Sequence, residues 1–179
     1  CFFLVFAAMM NYLPFRLTEL SSNADEFRIG LAYSGYLMGI AVSLNAVRIH
    51  RLSGGPEKVM VGALAFFIIA LLVMLVPQVW ALVGGMFLLC GASFLTHATA
   101  TGCLNQHLTQ SKGVINGLYV AFYYGGGAIG SYLPGYVYRD FGWSGFILLL
   151  CSVLLIALSL AVHLSRLTGL SSTHDVSAG

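Results

Sequence analysis

The sequence predicts an all-α membrane protein whose six transmembrane helices form one bundle. Three observations lead there. Of 179 residues, 59% are hydrophobic and 8% charged, against roughly 25% charged in a soluble domain, and mean hydropathy is +0.89. The apolar residues fall into six continuous stretches, most near the ~20 residues that a membrane helix needs. They do not alternate, which argues for helices rather than barrel strands. The links are short, so neighbours run antiparallel in one bundle. The same composition excludes a soluble globular domain and a disordered chain. It also excludes a nucleic-acid binder, because eight basic residues and a net charge of +2 make no basic patch.

The first span covers residues 1–13 and begins in mid-stretch without a basic leader, which argues against a signal peptide. That beginning reads as a chain cut inside a membrane span. The second span, 29–47, carries no charge. The third, 59–76, has no polar side chain, and only Pro77 and Gln78 separate it from the fourth, 79–104. The fifth, 113–138, and the sixth, 143–162, are joined by residues 139–142. The bundle thus occupies residues 1–166, and 167–179 read as a flexible tail, rich in Ser171, Ser172, Thr173 and His174. The cysteines Cys1, Cys90, Cys103 and Cys151 match no zinc or redox spacing. They read as small apolar residues, and no metal or other cofactor is expected.

Charge sets the expected orientation. One set of links carries Arg48, Arg51, Lys58, Lys112 and Arg166, the other Arg16, Arg28 and Arg139. Short loops rich in Lys and Arg stay in the cytoplasm. The richer set, with both termini, is therefore expected there, in a multi-pass protein of the cell (inner) membrane.

Polar side chains at membrane depth are costly and belong inside a bundle or on a wet cavity. The third and sixth spans nearly lack them and are expected to face lipid. The other four carry the candidate substrate cavity: Asn11, Tyr12, Tyr33, Tyr36, Ser93, His97, Asn116, Tyr119 and Tyr123. Ser93, His97 and Thr101 recur every four residues and share a helical stripe, and Asn116, Tyr119, Tyr123, Gly127, Gly130 and Pro134 form another. Tyr33 and Tyr36 share a face. A lone Ser or Thr more often joins helices than binds a ligand. His97 is the one ionisable side chain well inside a span, and its ordinary pKa near 6.5 suits a proton carrier. The structural alternative is a neutral imidazole hydrogen-bonded to a neighbouring helix. Gly35 with Gly39, and Gly126 with Gly130, have the spacing that lets helices approach closely. The run Gly125 to Gly127 with Pro134 marks a bendable fifth helix.

Lys112-Gly113-Val114-Ile115-Asn116-Gly117-Leu118-Tyr119, then Tyr123 to Gly130, then Phe141-Gly142-Trp143 resemble the eleventh-helix region of bacterial major facilitator superfamily transporters. The resemblance is to arabinose-efflux-permease-type and drug–proton antiporter-like members, and it covers the chain as helices seven to twelve. After the second helix of a half, this family carries Gly-x-x-x-Asp-Arg-x-Gly-Arg. Here Asn45 stands for the first Gly and His50 for the Asp, Arg51 matches, and Arg48 precedes them, a degenerate cytoplasmic loop motif. Gly126-x-x-x-Gly130-x-x-x-Pro134 echoes the antiporters' glycine–proline motif, which belongs to the first half. The resemblance implies one half of a twelve-helix fold, working by alternating access against a preceding six-helix half. It implies a small organic solute, proton coupling and efflux, with lipid as the other partner.

Two other classes fit the residues less well. A channel or structural subunit is not favoured, since no ring of charge or filter-like loop is evident. A rhomboid-like serine protease would need Gly-x-Ser-Gly, but Phe94 follows Ser93, and His163 lies at a span end. An intramembrane base must reach its nucleophile.

Overall fold

A computed structural model of the protein describes residues 2–21, 26–107 and 112–176. Cys1, at the start of the first expected span, and the end of the expected tail, 177–179, lie outside the described residues. Seven helices follow in order among those described: α1 (Phe2–Leu20), α2 (Glu26–Tyr33), α3 (Gly35–Leu44), α4 (Ala46–Leu52), α5 (Pro56–Val73), α6 (Val79–His107) and α7 (Lys112–Val176).

Three of them are long and apolar enough to cross a membrane: α5, Val79–Leu104 of α6, and Gly113–Arg166 of α7. A fourth joins them if Ile29–Leu44 and Ala46–Leu52, bent by 58°, are taken as one broken span. α1 is less apolar, because Asn11, Pro14, Arg16 and Glu19 interrupt it.

The apolar stretch of α7, 54 residues long, would reach about 81 Å as one helix at ~1.5 Å per residue, against a hydrocarbon core of ~30 Å. Gly142 divides it. Its φ of 66° and ψ of −169° are non-helical and fall in a region that only glycine enters freely. Contacts fix the direction of the two limbs. In the first limb, 112–141, Gly127 meets Phe3, Gly130 meets Leu4 and Gly135 meets Tyr12, so it runs parallel to α1. In the second limb, 143–176, Phe146 packs on Tyr12, while Ala157 to Leu164 line a cavity with Phe2, so the chain has turned back. The turn thus falls in the link expected between the fifth and sixth spans. The second limb continues helically to Val176, through residues expected as tail; no proline interrupts it.

The second expected span is not one straight helix. The Ser34 hydroxyl donates to the Leu31 carbonyl at 2.6 Å, at the break between α2 and α3. The Asn45 side chain donates to the Ala41 carbonyl at 2.8 Å, and its backbone N–H turns to Val42 instead. Short polar side chains compete in this way with the helix's own hydrogen bonds, and α4 leaves α3 at an angle. Gly54 and Gly55, both at positive φ, then turn the chain into α5, which begins on Pro56.

The interior is built on α1, α5, α6 and the second limb of α7. Phe67, Met74, Met86, Leu89, Phe146 and Leu150 are fully buried there. Lipid is as apolar as leucine, so close packing rather than water exclusion holds such helices together. The small residues do this. A Cβ on Gly35 would stand 3.2 Å from the Met86 backbone, and one on Gly130 would stand 2.1 Å from the Leu4 carbonyl oxygen. Outward, α5 presents Phe66, Ile69 and Leu72, and the second limb presents Leu148, Leu155 and Ile156. α3 and the first limb of α7 are also apolar outside, at Leu37, Leu44, Leu118, Phe122 and Leu133.

Candidate functional site

Four helices bring their rings to one place. His97, on α6, shares a hydrogen bond of 2.9 Å between its Nδ1 and the Tyr119 hydroxyl of α7. Tyr123, one turn on, holds its ring 5.0 Å from that of His97 and 6.0 Å from that of Tyr119. From α1, Phe3 stacks on Tyr123 at 3.7 Å, and Phe2 approaches both Tyr123 and His97, at 5.8 and 6.3 Å. Phe6 of α1, Phe94 of α6 and Tyr36 of α3 complete the set in edge-to-face contacts of 5.7 to 6.1 Å. Such geometry follows the ring quadrupoles, negative on the face and positive at the edge.

Glycines make the room. A Cβ on Gly127 would come within 2.5 Å of the Phe3 ring, and one on Gly39 within 2.8 Å of the Phe94 ring. Both aromatic side chains therefore depend on a missing one opposite. Phe2 and Thr96 also border a cavity of about 510 Å³ that continues past Cys103 toward Leu164.

The cluster offers ring faces and edges, which suit planar apolar or cationic groups, and one imidazole. The His97–Tyr119 pair works in either sense: the hydroxyl donates to a bare Nδ1, or accepts from a protonated one. A proton on His97 therefore changes the polarity of a contact between two helices.

Four of the nine expected cavity residues meet here: Tyr36, His97, Tyr119 and Tyr123. The rest are placed otherwise. Asn11 donates to Ala7 in its own helix and to the Ser131 hydroxyl, at 2.8 and 3.1 Å. Tyr12 donates to the Ser131 carbonyl at 3.1 Å, far along α1 from Phe2. Both belong to the α1–α7 seam. Tyr33 donates to the Met10 carbonyl at 2.8 Å, so it and Tyr36 both turn toward α1, one turn apart. Ser93 is buried. Asn116 is half-buried, one turn before Tyr119. Phe2, Phe3, Phe6 and Phe94 read as plain apolar residues in the sequence, and only their convergence marks them.

Two further polar groupings hold the ends of the bundle. In the loop motif, Arg48 and Arg51 are exposed, whereas His50 reaches Thr99 of α6, Nε2 to Oγ1, at 2.9 Å. The Thr99 hydroxyl already donates to Leu95, so His50 is the donor. At the other end, Arg16 donates to Glu19 at 2.8 Å, and the Tyr138 hydroxyl donates to the same carboxylate at 2.6 Å. Glu19 lies beyond the apolar part of α1. Partial burial pulls its carboxyl pKa up, but the hydrogen bonds from Tyr138 and Arg16 and the Arg16 charge outweigh this and leave it below the ordinary value. The Arg16 guanidinium also lies 5.7 Å from the centre of the Trp143 ring. The Trp143 indole N–H donates to the Met74 carbonyl at 2.8 Å, satisfying one of the end carbonyls that helix α5 leaves open.

The sequence pattern of the Major Facilitator Superfamily matches residues 1–174. The chain belongs to this family. It is similar to an uncharacterized transporter of Buchnera aphidicola subsp. Schizaphis graminum (strain Sg), 24% identical over 162 residues, which are 90% of this chain and 39% of that relative. The chain thus spans well under half the length of the curated relative it matches. No solved structure matches. A major facilitator chain of apolar helices is a multi-pass membrane protein of a transporter family, and not an enzyme.

Proposed function

We propose that this chain is the C-terminal six-helix half of a proton-coupled secondary transporter for a small organic solute, with export as the direction of transport. The apolar part of α1, the bent α2–α4 unit, α5, α6 and the two limbs of α7 would supply its six spans, with the residues from 167, helical to Val176, as a tail. The observation that carries the reading is the aromatic cluster around the His97–Tyr119 hydrogen bond, contributed by four helices. Solute would lie against Tyr36, Tyr119 and Tyr123, and His97 would take up and release the proton. The apolar outer faces of α3 and the first limb of α7 would pack against a preceding half, and rocking of the halves would expose the cluster alternately. Both ends of the segment would be cytoplasmic in the inner membrane, as the Arg48, Arg51 and Lys58 loop suggests.

The test uses the whole transporter, this segment together with its preceding half, in proteoliposomes with an imposed pH gradient. Ethidium, as a planar cation, and arabinose, as a neutral polyol, are the first probes. Tyr119→Phe removes the hydroxyl from His97 and keeps the ring. It should slow transport about tenfold, the equivalent of one hydrogen bond near 1.4 kcal/mol, and shift its pH profile. His97→Asn should abolish the response to the pH gradient. Wild-type rates and an unchanged pH profile in both variants would overturn the assignment of the site.

A further inference from the structure

A groove of about 510 Å³ lies on the outside of the bundle between α3, α5 and α6, away from the aromatic cluster. Val42, Ile49, Gly62, Phe66, Gly91 and Leu95 are among its walls, and no polar or charged side chain lines it. Two absent side chains open it. A Cβ on Gly62 would meet nothing within 4 Å, and one on Gly91 would make only ordinary contacts, with Met38 and Val42.

One end of the groove is chemically different. Ile49 belongs to α4, the helix bent by 58° from the preceding span. The hydrogen bond from His50 to Thr99 fixes how α4 is rolled about its axis. Ala46, Ile49 and His50 turn inward, and Arg48 and Arg51, three residues apart, turn outward and are exposed. The ion pairs among the described residues are Arg16–Glu19 and Arg139–Asp140, so neither of these arginines is neutralised by a carboxylate. Lys58 is exposed one short turn away. Glu57, the one acid in α4 and α5, lines the cavity on the other side of α5.

An apolar slot that ends at unpaired cations complements an anionic amphiphile. We propose that the groove between α3, α5 and α6 holds the acyl chain of an anionic phospholipid whose phosphate rests on Arg48 and Arg51 of the bent helix α4. Basic side chains at the membrane surface attract such headgroups, and arginine's planar fork matches phosphate oxygens. The bend matters because it swings α4, with Ile49 on the slot and the two arginines outside, away from the line of α3. This site does not depend on what the aromatic cluster transports.

Native mass spectrometry of the purified protein with equal amounts of phosphatidylglycerol and phosphatidylcholine of identical chains tests it. Wild type should retain phosphatidylglycerol about thirtyfold better, near fivefold for each arginine. The double variant R48Q/R51Q should bring that ratio close to one, and both sites are exposed, so folding is not at stake. Gly62→Leu fills the slot and should lower retention of both lipids, with the thermal unfolding curve as its control. If that variant unfolds, phosphatidylglycerol with a diazirine in its chain takes its place, and should cross-link to peptides holding Phe66 and Leu95. Equal retention of the two lipids by wild type, a preference that survives R48Q/R51Q, or cross-links confined to other helices would each overturn the proposal.

Discussion

Replacing Gly130 by alanine tests a close backbone approach between α1 and the first limb of α7. The added Cβ would stand 2.1 Å from the Leu4 carbonyl oxygen, and 2.8 and 2.9 Å from Leu4 C and Cα. Ordinary Cβ contacts begin at 3.4 Å, so the oxygen is about 1.3 Å too near. All three atoms are backbone, so no side-chain rotation relieves the clash, and α1 and the first limb of α7 must part. Overfilling of a packed interior costs about 1–3 kcal/mol, and the upper part of that range applies where only backbone can yield. Alanine returns about 1 kcal/mol of helix propensity. The net loss is about 1–2 kcal/mol, or roughly 5- to 30-fold in the folding equilibrium. Gly125→Ala, on the same limb, meets nothing within 4 Å. It gains the propensity without the clash and should be at least as stable as wild type. Unfolding in mixed micelles with rising dodecyl sulfate, followed by circular dichroism, measures both. Equal stability of the two variants would refute the reasoning, because it would mean that α1 is not seated against Gly130.

Trp143→Phe keeps a ring beside Phe146 but removes the donor to the Met74 carbonyl. It should cost about 1–3 kcal/mol in the same assay, whereas Trp80→Phe, at a site 72% exposed, should stay within about 0.5 kcal/mol of wild type. Glu19 makes stability fall in acid. Its folded pKa lies below the ordinary 4.5, so its contribution is whole above that pH and is lost as the pH drops through the folded value. Melting curves between pH 3 and 7 should show the decline in wild type and a flatter acid limb in Glu19→Gln. N-ethylmaleimide should modify Cys103, which borders the cavity beside Phe2, well before the buried Cys90 and Cys151, and peptide mapping by mass spectrometry reads the order.

Much of this architecture was legible because membrane helices announce themselves by run length. The link at 139–142 pointed to the reversal that Gly142 makes in α7. Tyr119 and Tyr123 stand out in the sequence because a polar ring in an apolar helix is conspicuous. Phe3 and Phe94, which meet the same cluster, do not, since a phenylalanine in such a helix looks the same whether it faces lipid or a neighbouring ring. The glycines that admit them, Gly127 and Gly39, carry that information only when paired with a partner far along the chain. Asn11 and Tyr12 show the converse. Their polarity was conspicuous, but their hydrogen bonds run to Ser131, 119 and 120 residues away, and serve the α1–α7 seam. His50 reads as a defect in a loop motif until Thr99, across the bundle on α6, turns out to receive its hydrogen bond.

The pairing of Trp143 with Met74 also has a place in time. The two residues are 69 positions apart. A ribosome adding about 5–20 residues each second takes about 3–14 s to travel from one to the other. Throughout that interval α5 has been made, and its terminal carbonyl lacks the indole that will satisfy it. The end of α5 must meanwhile find water, headgroups or the insertion machinery. The seam between α5 and the last helix is therefore among the final parts of the bundle to close, and synthesis that stops before Trp143 leaves α5 with an open end.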